Sequence, residues 1–487
     1  MLKYANREFG LNKYTKTEIC GLPTVEELRA SLVAGEESAT RKAIVSLFDE
    51  KTFVEVGAYV KRGFSDFLST ENANELEGVI CGYGAINGKL VFAFAEDSSR
   101  GGGVIDERHA KKISDLYKLA TENGAPVIGI FDANGTDIFM GTAGLAAYGT
   151  IMSCVSRASG VIPQIAYVKG NCIGSASVIV SMFDFIVKSS EANFYVTSHN
   201  LTGKKDAQNA VLAYSDSDDK CESYIKKLVS FLPDNSSLGV VANEPTDNLN
   251  KKLGELDFAG DAKVAVAAIA DNSVYYEVSA DFAPEVSTCF ATVAGIKCGI
   301  VANSFSCNEG KISAAAARKI SKFVNFCDAF SLPIVTLIDS IGLETSAENE
   351  VAYFAPELAK LAFAYSTSGV PKVTVILGHA IGASFVLLGS KALGADLVYA
   401  VDNAEICALN AESGVAFSWD KYITLEKTRD ELVAEWKATV SSPAAAAASG
   451  EIDDIISTNE LRLRICSALL MLCAKGSNAA RRKILPL

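Results

Sequence analysis

Short apolar runs alternate with amphipathic segments along most of this chain. The runs VFAF (residues 91–94), PVIGIF (126–131) and PQIAYV (163–168) have the length and composition of buried strands. The segments 111–122 and 318–330 carry apolar residues at the three- and four-residue spacing of helices. Strands that alternate with helices are typical of an α/β fold with a largely parallel sheet, and we predict that class.

The same pattern occurs twice. Three pairs of matching positions are 207 residues apart and two pairs are 208 apart. The pairs are Gly88 and Gly295, Ala110 and Ala317, Pro126 and Pro333, Pro163 and Pro371, and Gly174 and Gly382. A nearly constant separation over five pairs is not expected by chance, so we predict a tandem duplication of one α/β unit. We place the first half at residues 1–240 and the second half at 241–487, with a helix predicted at 218–231 in the polar stretch before the boundary.

Composition narrows the possible functions. The 487 residues are 49% hydrophobic, which excludes disorder as the main state, and the formal net charge of −13 argues against a nucleic-acid partner. The apolar runs are short or interrupted by charges, and the start MLKYANREFG has no apolar core of a signal peptide, so we predict a cytoplasmic protein. The 12 Cys form no CxxC pair and there are three His, so we predict no metal.

Each half contains two turns in which a strand runs through glycine into a helix. The first half has them at Gly135 and Gly174, and the second half at Gly342 and Gly382. Backbone N–H groups at such turns can hold a phosphate or an oxyanion that develops during a reaction. No P-loop and no GxGxxG pattern accompanies them. A purely structural role for these glycines remains an alternative, which their duplication in register weakens.

Several stretches carry a family resemblance that covers nearly the whole chain. They are residues 39–56, 78–97, 109–113, 158–165, 231–235, 281–284, 326–330, 364–376, 390–396 and the terminal KILPL at 483–487. In these stretches the chain resembles the carboxyltransferase subunit of biotin-dependent acyl-CoA carboxylases and decarboxylases, of the propionyl-CoA carboxylase beta and methylmalonyl-CoA decarboxylase alpha type. The resemblance implies a tandem duplicated crotonase (ClpP/crotonase-like) fold.

The resemblance also implies a site and partners. The first half would hold a short-chain acyl-CoA, and the second half would hold biotin carried on a partner protein. The residues concerned are Gly135, Thr136, Gly174 and Ser175, with Arg41 for the CoA phosphates, and Gly342, Leu343, Gly382 and Ala383 for biotin. The partners would be a biotin carboxyl carrier protein with biotin carboxylase or membrane decarboxylase subunits. The chain would form a homo-oligomer, a hexamer built as a trimer of dimers.

Two alternatives stay open at this point. Asp137 and Ser175 replace residues that the family usually has at its first two turns, which motivates a non-catalytic scaffold subunit. A carboxylate near an oxyanion site opposes the charge that the site must stabilise. A hydratase or isomerase of the crotonase type would instead need one or two positioned carboxylates.

Five further ionisable positions receive structural predictions. His109 is predicted to pack at a helix start, and Lys111 and Lys112 to lie on a solvated helix face. The acidic pair Glu96 and Asp97 is predicted to lie in a turn or at the surface.

Overall fold

The computed structural model describes most of the chain. The described residues are 24–27, 38–62, 76–136, 140–197, 214–240, 242–253, 260–424, 427–475 and 483–484. Within them, each half contains one large mixed sheet, flanked by helices. None of the helices in these ranges combines the length and the apolar character needed to cross a membrane.

The first half alternates strands and helices in chain order. Its strands are β1 (Val54–Val56), β2 (Val79–Ile86), β3 (Lys89–Glu96), β4 (Val127–Phe131), β5 (Gln164–Val168), β6 (Asn171–Ile173), β7 (Phe185–Ser189), β8 (Asn193–Tyr195) and β9 (Tyr214–Asp216). Its helices are α1 (Ala39–Leu47), α2 (Glu107–Asn123), α3 (Thr142–Ala158), α4 (Ser175–Ser181) and α5 (Asp218–Phe231). The sheet order is β1-β2-β3-β4-β5-β7-β9, and β6 pairs with β8. The predicted helix at 218–231 is confirmed.

The second half repeats this order with longer additions at its end. Its strands are β10 (Tyr275–Val278), β11 (Val286–Val293), β12 (Ile296–Asn303), β13 (Ile334–Ser340), β14 (Lys372–Ile381), β15 (Leu397–Val401), β16 (Glu405–Cys407) and β17 (Asp454–Ile456). Its helices are α6 (Ala262–Ile269), α7 (Ala314–Ala329), α8 (Ala347–Val351), α9 (Phe354–Thr367), α10 (Ala383–Leu387), α11 (Ala411–Gly414), α12 (Arg429–Thr439), α13 (Pro443–Ala448) and α14 (Leu461–Leu472). The sheet order is β10-β11-β12-β13-β14-β15-β17, and β16 pairs with β14.

Each sheet combines a hairpin with parallel strands. The hairpins β2–β3 and β11–β12 are antiparallel, and the strands that follow them in each sheet are parallel. The hairpin turns at Asn87-Gly88 and Ala294-Gly295 have positive φ at both central residues, which matches the twist of the flanking strands. Gly88 and Gly295 are the first of the repeat positions, so the repeat in the sequence is a repeat of structure.

The helices after the two hairpins begin with matching caps. The Asp106 carboxylate accepts the His109 N–H at 2.8 Å at the start of α2, and the Ser313 hydroxyl accepts the Ala316 N–H at 3.0 Å at the start of α7. These caps lie 207 positions apart, so both copies of the unit start this helix in the same way.

The core is continuous between the halves. One cluster of buried apolar residues joins one face of the first sheet, under α1 and α5, with both faces of the second sheet. Phe185 of β7 lies between Phe290 and Phe326 of the second half, with ring centroids 5.9 and 4.9 Å away. A second cluster fills the other face of the first sheet, under α2 and α3. The two units are therefore packed against one another and not joined by a linker alone.

Two predictions about charged residues are wrong. Lys111 is exposed and pairs with Asp115, as a solvated face requires, but Lys112 is buried and its ammonium donates to the Val79 carbonyl. Glu96 and Asp97 are each 1% exposed, so neither lies at the surface, although Asp97 does open a turn in which its carbonyl accepts the Arg100 N–H at 3.0 Å. Their burial depends on partners that are distant in the sequence, which a local acidic pair does not reveal.

Candidate active site

The first turn of the first half follows β4. Gly135 has a φ of 106°, and its carbonyl accepts the Ile105 N–H at 3.0 Å. The Thr136 hydroxyl donates to the Ile105 carbonyl at 2.9 Å. These bonds fix the turn on the loop before α2. Among the described residues, the backbone N–H of Thr136 has no hydrogen-bond partner.

The second turn of the first half leads from β6 into α4. Gly174 has a φ of 60°, and its N–H donates to the Tyr195 carbonyl at 3.1 Å. The glycine N–H is thus already used. The next one, of Ser175, begins the helix and has no acceptor in the described ranges. Of the two residues predicted here, Ser175 is the one with an N–H group left for a ligand.

Asp132 holds the two turns side by side. It follows β4 directly, and its carboxylate accepts the Asn171 N–H at 3.0 Å and the Ser98 hydroxyl proton. The backbone adds a bond from the Ala133 N–H to the Asn171 carbonyl at 2.8 Å. The structure therefore brings Gly135, Thr136, Gly174 and Ser175 to one edge of the first sheet.

The second half builds its turns in the same way. The Gly342 carbonyl accepts the Ile312 N–H at 3.0 Å, and the Gly382 N–H donates to the Cys407 carbonyl at 2.8 Å. The backbone N–H groups of Leu343 and Ala383 have no partner among the described residues. A Cβ added to Gly342 would lie 3.6 Å from the Ile381 carbonyl oxygen, so these turns too are neighbours.

Asp339 takes the place of Asp132, with a different set of partners. Its carboxylate accepts the His379 N–H at 2.9 Å and contacts Nδ1 of the same imidazole at 2.8 Å. The His379 ring stacks on Phe305 with centroids 4.6 Å apart. The carboxylate raises the pKa of His379 above its ordinary value. His379 precedes the predicted turn at Gly382 by three residues, but no local pattern points to Asp339 as its partner.

A buried ionisable cluster lies beneath the first pair of turns. His109 is fully buried, with Nδ1 3.6 Å from a Glu77 oxygen and Nε2 3.9 Å from a Glu96 oxygen, both beyond hydrogen-bonding distance. The other Glu96 oxygen accepts the Asp132 N–H at 3.1 Å. Burial raises the pKa of Glu96 to about 8. His109 does pack near a helix start, as predicted, but between two carboxylates.

The remaining predicted positions have other surroundings. Arg41 lies in α1, and its guanidinium is ion-paired with Glu55 of the edge strand β1. Asp137 lies outside the described residues. No group of three or more His, Cys, Asp or Glu side chains is placed to hold a metal in the part of the chain that the structure describes.

One α/β unit present twice, with two neighbouring glycine turns in each copy, defines a duplicated crotonase-type fold. The crystal structure of the transcarboxylase 12S subunit has this fold and superposes with a TM-score of 0.86 at 30% identity, over 96% of this chain and 100% of that one. The predicted fold is confirmed. The chain belongs to the family described as the carboxyl transferase domain, which matches residues 34–213 and 208–484.

Curated relatives agree in length and in kind. The alpha subunit of methylmalonyl-CoA decarboxylase from Veillonella parvula is 35% identical over 91% of each chain. The 12S subunit of methylmalonyl-CoA carboxyltransferase from Propionibacterium freudenreichii subsp. shermanii is 32% identical over 92% of this chain and 91% of its own. The propionyl-CoA carboxylase beta chain of Cereibacter sphaeroides is 32% identical over 89% of this chain and 90% of its own. The predicted kinship with acyl-CoA carboxyltransferase subunits is confirmed.

Proposed function

We propose that the chain moves a carboxyl group between biotin on a carrier protein and a short-chain acyl-CoA, with one pair of turns for each ligand. The observation that carries this proposal is the repeated hydrogen-bond scheme. In each half the second glycine donates its own N–H to a backbone carbonyl. The N–H groups of Thr136 and Ser175 in the first half, and of Leu343 and Ala383 in the second, have no partner among the described residues. A reaction with two developing negative charges needs two such sites, one for each charge.

The first pair of turns suits the thioester. The N–H groups of Thr136 and Ser175 would hold the thioester oxygen when the neighbouring carbon becomes an enolate. The space at the turns supports this assignment, because a Cβ added to Gly135 would meet no atom of the described residues within 4 Å. At Gly174 an added Cβ would meet only the Val196 carbonyl oxygen, at 3.9 Å.

The second pair of turns suits the ureido group of biotin. Bound biotin would supply the carboxyl group, carried on a ring nitrogen. The N–H groups of Leu343 and Ala383 would hold the ureido oxygen, on which charge develops as the carboxyl group leaves. At Gly382 an added Cβ would approach only the Ala408 carbonyl oxygen, at 3.4 Å, so the donors are open to a planar ligand.

The relatives support the substrate class and the assembly. The transcarboxylase 12S structure is a hexamer assembly with methylmalonyl-coenzyme A and methylmalonic acid bound. We extend the class to acetyl-, propionyl- and methylmalonyl-CoA for this chain, and we propose a cytoplasmic homo-oligomer, a hexamer, whose two halves meet near residues 240 and 241. A biotin carboxyl carrier protein would be its partner, with biotin carboxylase or membrane decarboxylase subunits deciding the direction of the reaction.

The carboxylates beside the turns do not favour a hydratase or isomerase. Asp132 and Asp339 each accept a backbone N–H from the neighbouring turn, which gives both a structural task. A non-catalytic scaffold subunit makes a different prediction from our proposal, since it needs no affinity for acyl-CoA.

Proline at the first helical position offers a test that removes one N–H and adds little bulk. Ser175 and Ala383 open α4 and α10, where proline is well tolerated. We expect Ser175→Pro and Ala383→Pro each to lower the rate of carboxyl transfer by about 10²–10³, because each loses one oxyanion donor. Ser175→Ala and Ala383→Ser keep the N–H and should stay within a few-fold of the unmodified protein.

Calorimetry separates the two sites. Ser175→Pro should weaken the binding of propionyl-CoA and leave the affinity for biotin methyl ester unchanged, while Ala383→Pro should do the reverse. If the unmodified chain binds none of acetyl-, propionyl- and methylmalonyl-CoA at millimolar concentration, the scaffold alternative is favoured. If both proline variants lose the same ligand, the assignment of one pair of turns to each ligand is wrong.

A further inference from the structure

His379 lies at the carboxyl end of β14, three residues before Gly382. Both its backbone N–H and its Nδ1 meet one oxygen of Asp339. An ionised carboxylate can only accept hydrogen bonds, so Nδ1 of His379 carries a proton in this contact. The second ring nitrogen, Nε2, is then left to contact a ligand. A carboxylate that orients an imidazole through Nδ1 is the arrangement by which enzymes present Nε2 to a reacting group.

The ring is held in place but is not covered. It stacks on Phe305 with 18° between the two planes, and the side chain is 34% exposed. Among the described residues, Nε2 has no hydrogen-bond partner. A fixed ring with a free, partly exposed nitrogen can contact a ligand without first giving up a bond inside the protein.

The surroundings favour the charged form of the imidazole. Asp339 raises the pKa of His379 most, Glu405 adds to the effect, and Lys437 opposes it. Lys437 is itself within 3.4 Å of a Glu405 oxygen, so these two charges partly offset one another. The raised pKa favours the imidazolium, in which both ring nitrogens donate, beside the second pair of turns.

The first half has no such cation at the matching place. Asn171 occupies the position of His379, and its side-chain amide donates to Asn134 at 2.9 Å and accepts from Asn193 at 2.8 Å. A neutral amide suits the thioester group itself, which carries no charge before reaction. A cationic donor suits a biotin ring that arrives with a carboxylate on its nitrogen.

We propose that His379 is a substrate-contacting residue that offers its Nε2–H to the carboxylate carried on the biotin ring. This proposal rests on the assignment of biotin to the second pair of turns. The residue would hold the carboxylate before transfer, while the backbone N–H groups of Leu343 and Ala383 act on the ureido oxygen.

Ethoxyformylation of imidazoles tests the contact without relying on activity. The chain has three His, and peptide mass spectrometry reads each of them separately. We expect biotin methyl ester carboxylated on its ring nitrogen to slow the modification of His379 at least about 10-fold more than the uncarboxylated ester does. Buried His109 serves as the internal control and should stay unmodified throughout.

Kinetics of His379→Asn, which copies Asn171, test the function of the contact. We expect the KM for the carboxylated ester to rise about 10- to 100-fold, as for the loss of a hydrogen bond to a charged group, with a smaller change in kcat. His379→Gln should behave similarly, because its side-chain amide is a hydrogen-bond donor but, like that of Asn, carries no positive charge. Since the imidazolium is the active form, the unmodified protein should lose affinity as pH rises through the raised pKa of His379, and both variants should lack this decline.

The outcomes separate this proposal from the function on which it rests. If transfer proceeds but His379→Asn has an unchanged KM and pH profile, His379 has only a structural role and the proposal is wrong. If the unmodified chain transfers no carboxyl group, the proposed function fails first, and equal modification of His379 with either ester then refutes the contact as well. A variant that does not fold leaves the modification experiment decisive, since it uses the unmodified protein.

Discussion

Beneath its glycine turns, the first half buries an imidazole between two carboxylates, whereas the second half has uncharged side chains at the matching positions. Glu96 corresponds to Asn303 and His109 corresponds to Ala316, each 207 residues on. The Asn303 side chain donates to the Gly310 carbonyl at 3.2 Å, which needs no charge. Above the turns the difference is reversed, because His379 has an ionisable side chain there and Asn171 does not.

This contrast teaches which features of the unit are fixed and which are free to change. The bonds from Ile105 to Gly135 and from Gly174 to Tyr195 recur in the second half as bonds from Ile312 to Gly342 and from Gly382 to Cys407, all between backbone groups. Side chains around them can therefore diverge without moving the N–H groups. Ser98, which donates to Asp132, is replaced by Phe305, which stacks on His379. One scaffold thus presents two electrostatic environments.

The largest expected effect comes from breaking the support of the second hairpin. Asp271 accepts the Ala294 and Gly295 N–H groups at 3.1 and 2.9 Å, and fully buried Arg462 binds it at 2.6 Å. Arg462→Met leaves a buried carboxylate without its partner, which costs about 3–5 kcal/mol of unfolding free energy. Urea denaturation at fixed protein concentration measures this loss.

The first hairpin provides the matched control. Asp49 accepts the Asn87 and Gly88 N–H groups at 3.0 and 2.9 Å near the surface, and no arginine in the described part of the chain pairs with it. Asp49→Asn should cost no more than about 1 kcal/mol, the usual contribution of a hydrogen bond. Equal losses of unfolding free energy in the two variants would contradict this interpretation, in which the carboxylate that holds the hairpin turn is buried in the second half and partly exposed in the first.

An intermediate effect is expected at the buried lysines that the repeat relates. Lys319 donates to the Phe282 and Val286 carbonyls at 2.7 and 2.6 Å, whereas Lys112 donates to Val79 alone. Burial lowers the pKa of both amines, to about 8 for Lys319. Lys319→Met should lower the free energy of unfolding by about 2–3 kcal/mol. Lys112→Met should lower it less, because fewer carbonyls lose their donor. Thermal and urea unfolding of both variants checks the order, which a larger loss for Lys112→Met would overturn.

The smallest effect concerns the pH dependence of stability that comes from Glu96 in the first half. Its pKa is raised to about 8 in the folded chain, so the folded state binds this proton more tightly than the unfolded state does. The stability that comes from the protonated form is present at low pH and is lost as pH rises toward 8. Glu96→Gln should remove this loss. As pH rises from about 6 to about 7, the unfolding free energy of the variant should therefore increase by about 1 kcal/mol relative to that of the unmodified chain. Parallel pH profiles for the two proteins would show that Glu96 is ionised over the whole range.

The fold could be predicted to a large extent because its signals are local and repeated. The turn at Gly88 and the strand after Pro126 are defined by neighbouring residues, and their recurrence at Gly295 and Pro333 doubles the evidence. Burial of charge was not predictable in this way. Glu96 and Lys112 are buried because of His109, Asp132 and Val79, which meet them only after the sheet forms.

The glycine turns of the candidate site could be located from the sequence, but the hydrogen-bond partners of their N–H groups could not. Gly174 and Gly382 were among the residues predicted to hold the ligands, and in the structure their N–H groups donate to the Tyr195 and Cys407 carbonyls. These acceptors follow in β8 and β16, beyond the short helices. No local pattern at the glycines points to them. The pairing of Asp339 with His379 also joins residues 40 positions apart, which only the parallel order of β13 and β14 brings together.

The shared core has a consequence for the history of such a chain. Phe185, Phe290 and Phe326 lie in the face that joins the halves, and both halves contribute buried apolar side chains to it. A single unit made alone would leave that face in water, where it would attract a second copy. When one gene encodes both units in a single chain, each unit is made together with the partner that buries its apolar face. Each copy is then free to mutate separately, which two identical subunits of a dimer never are.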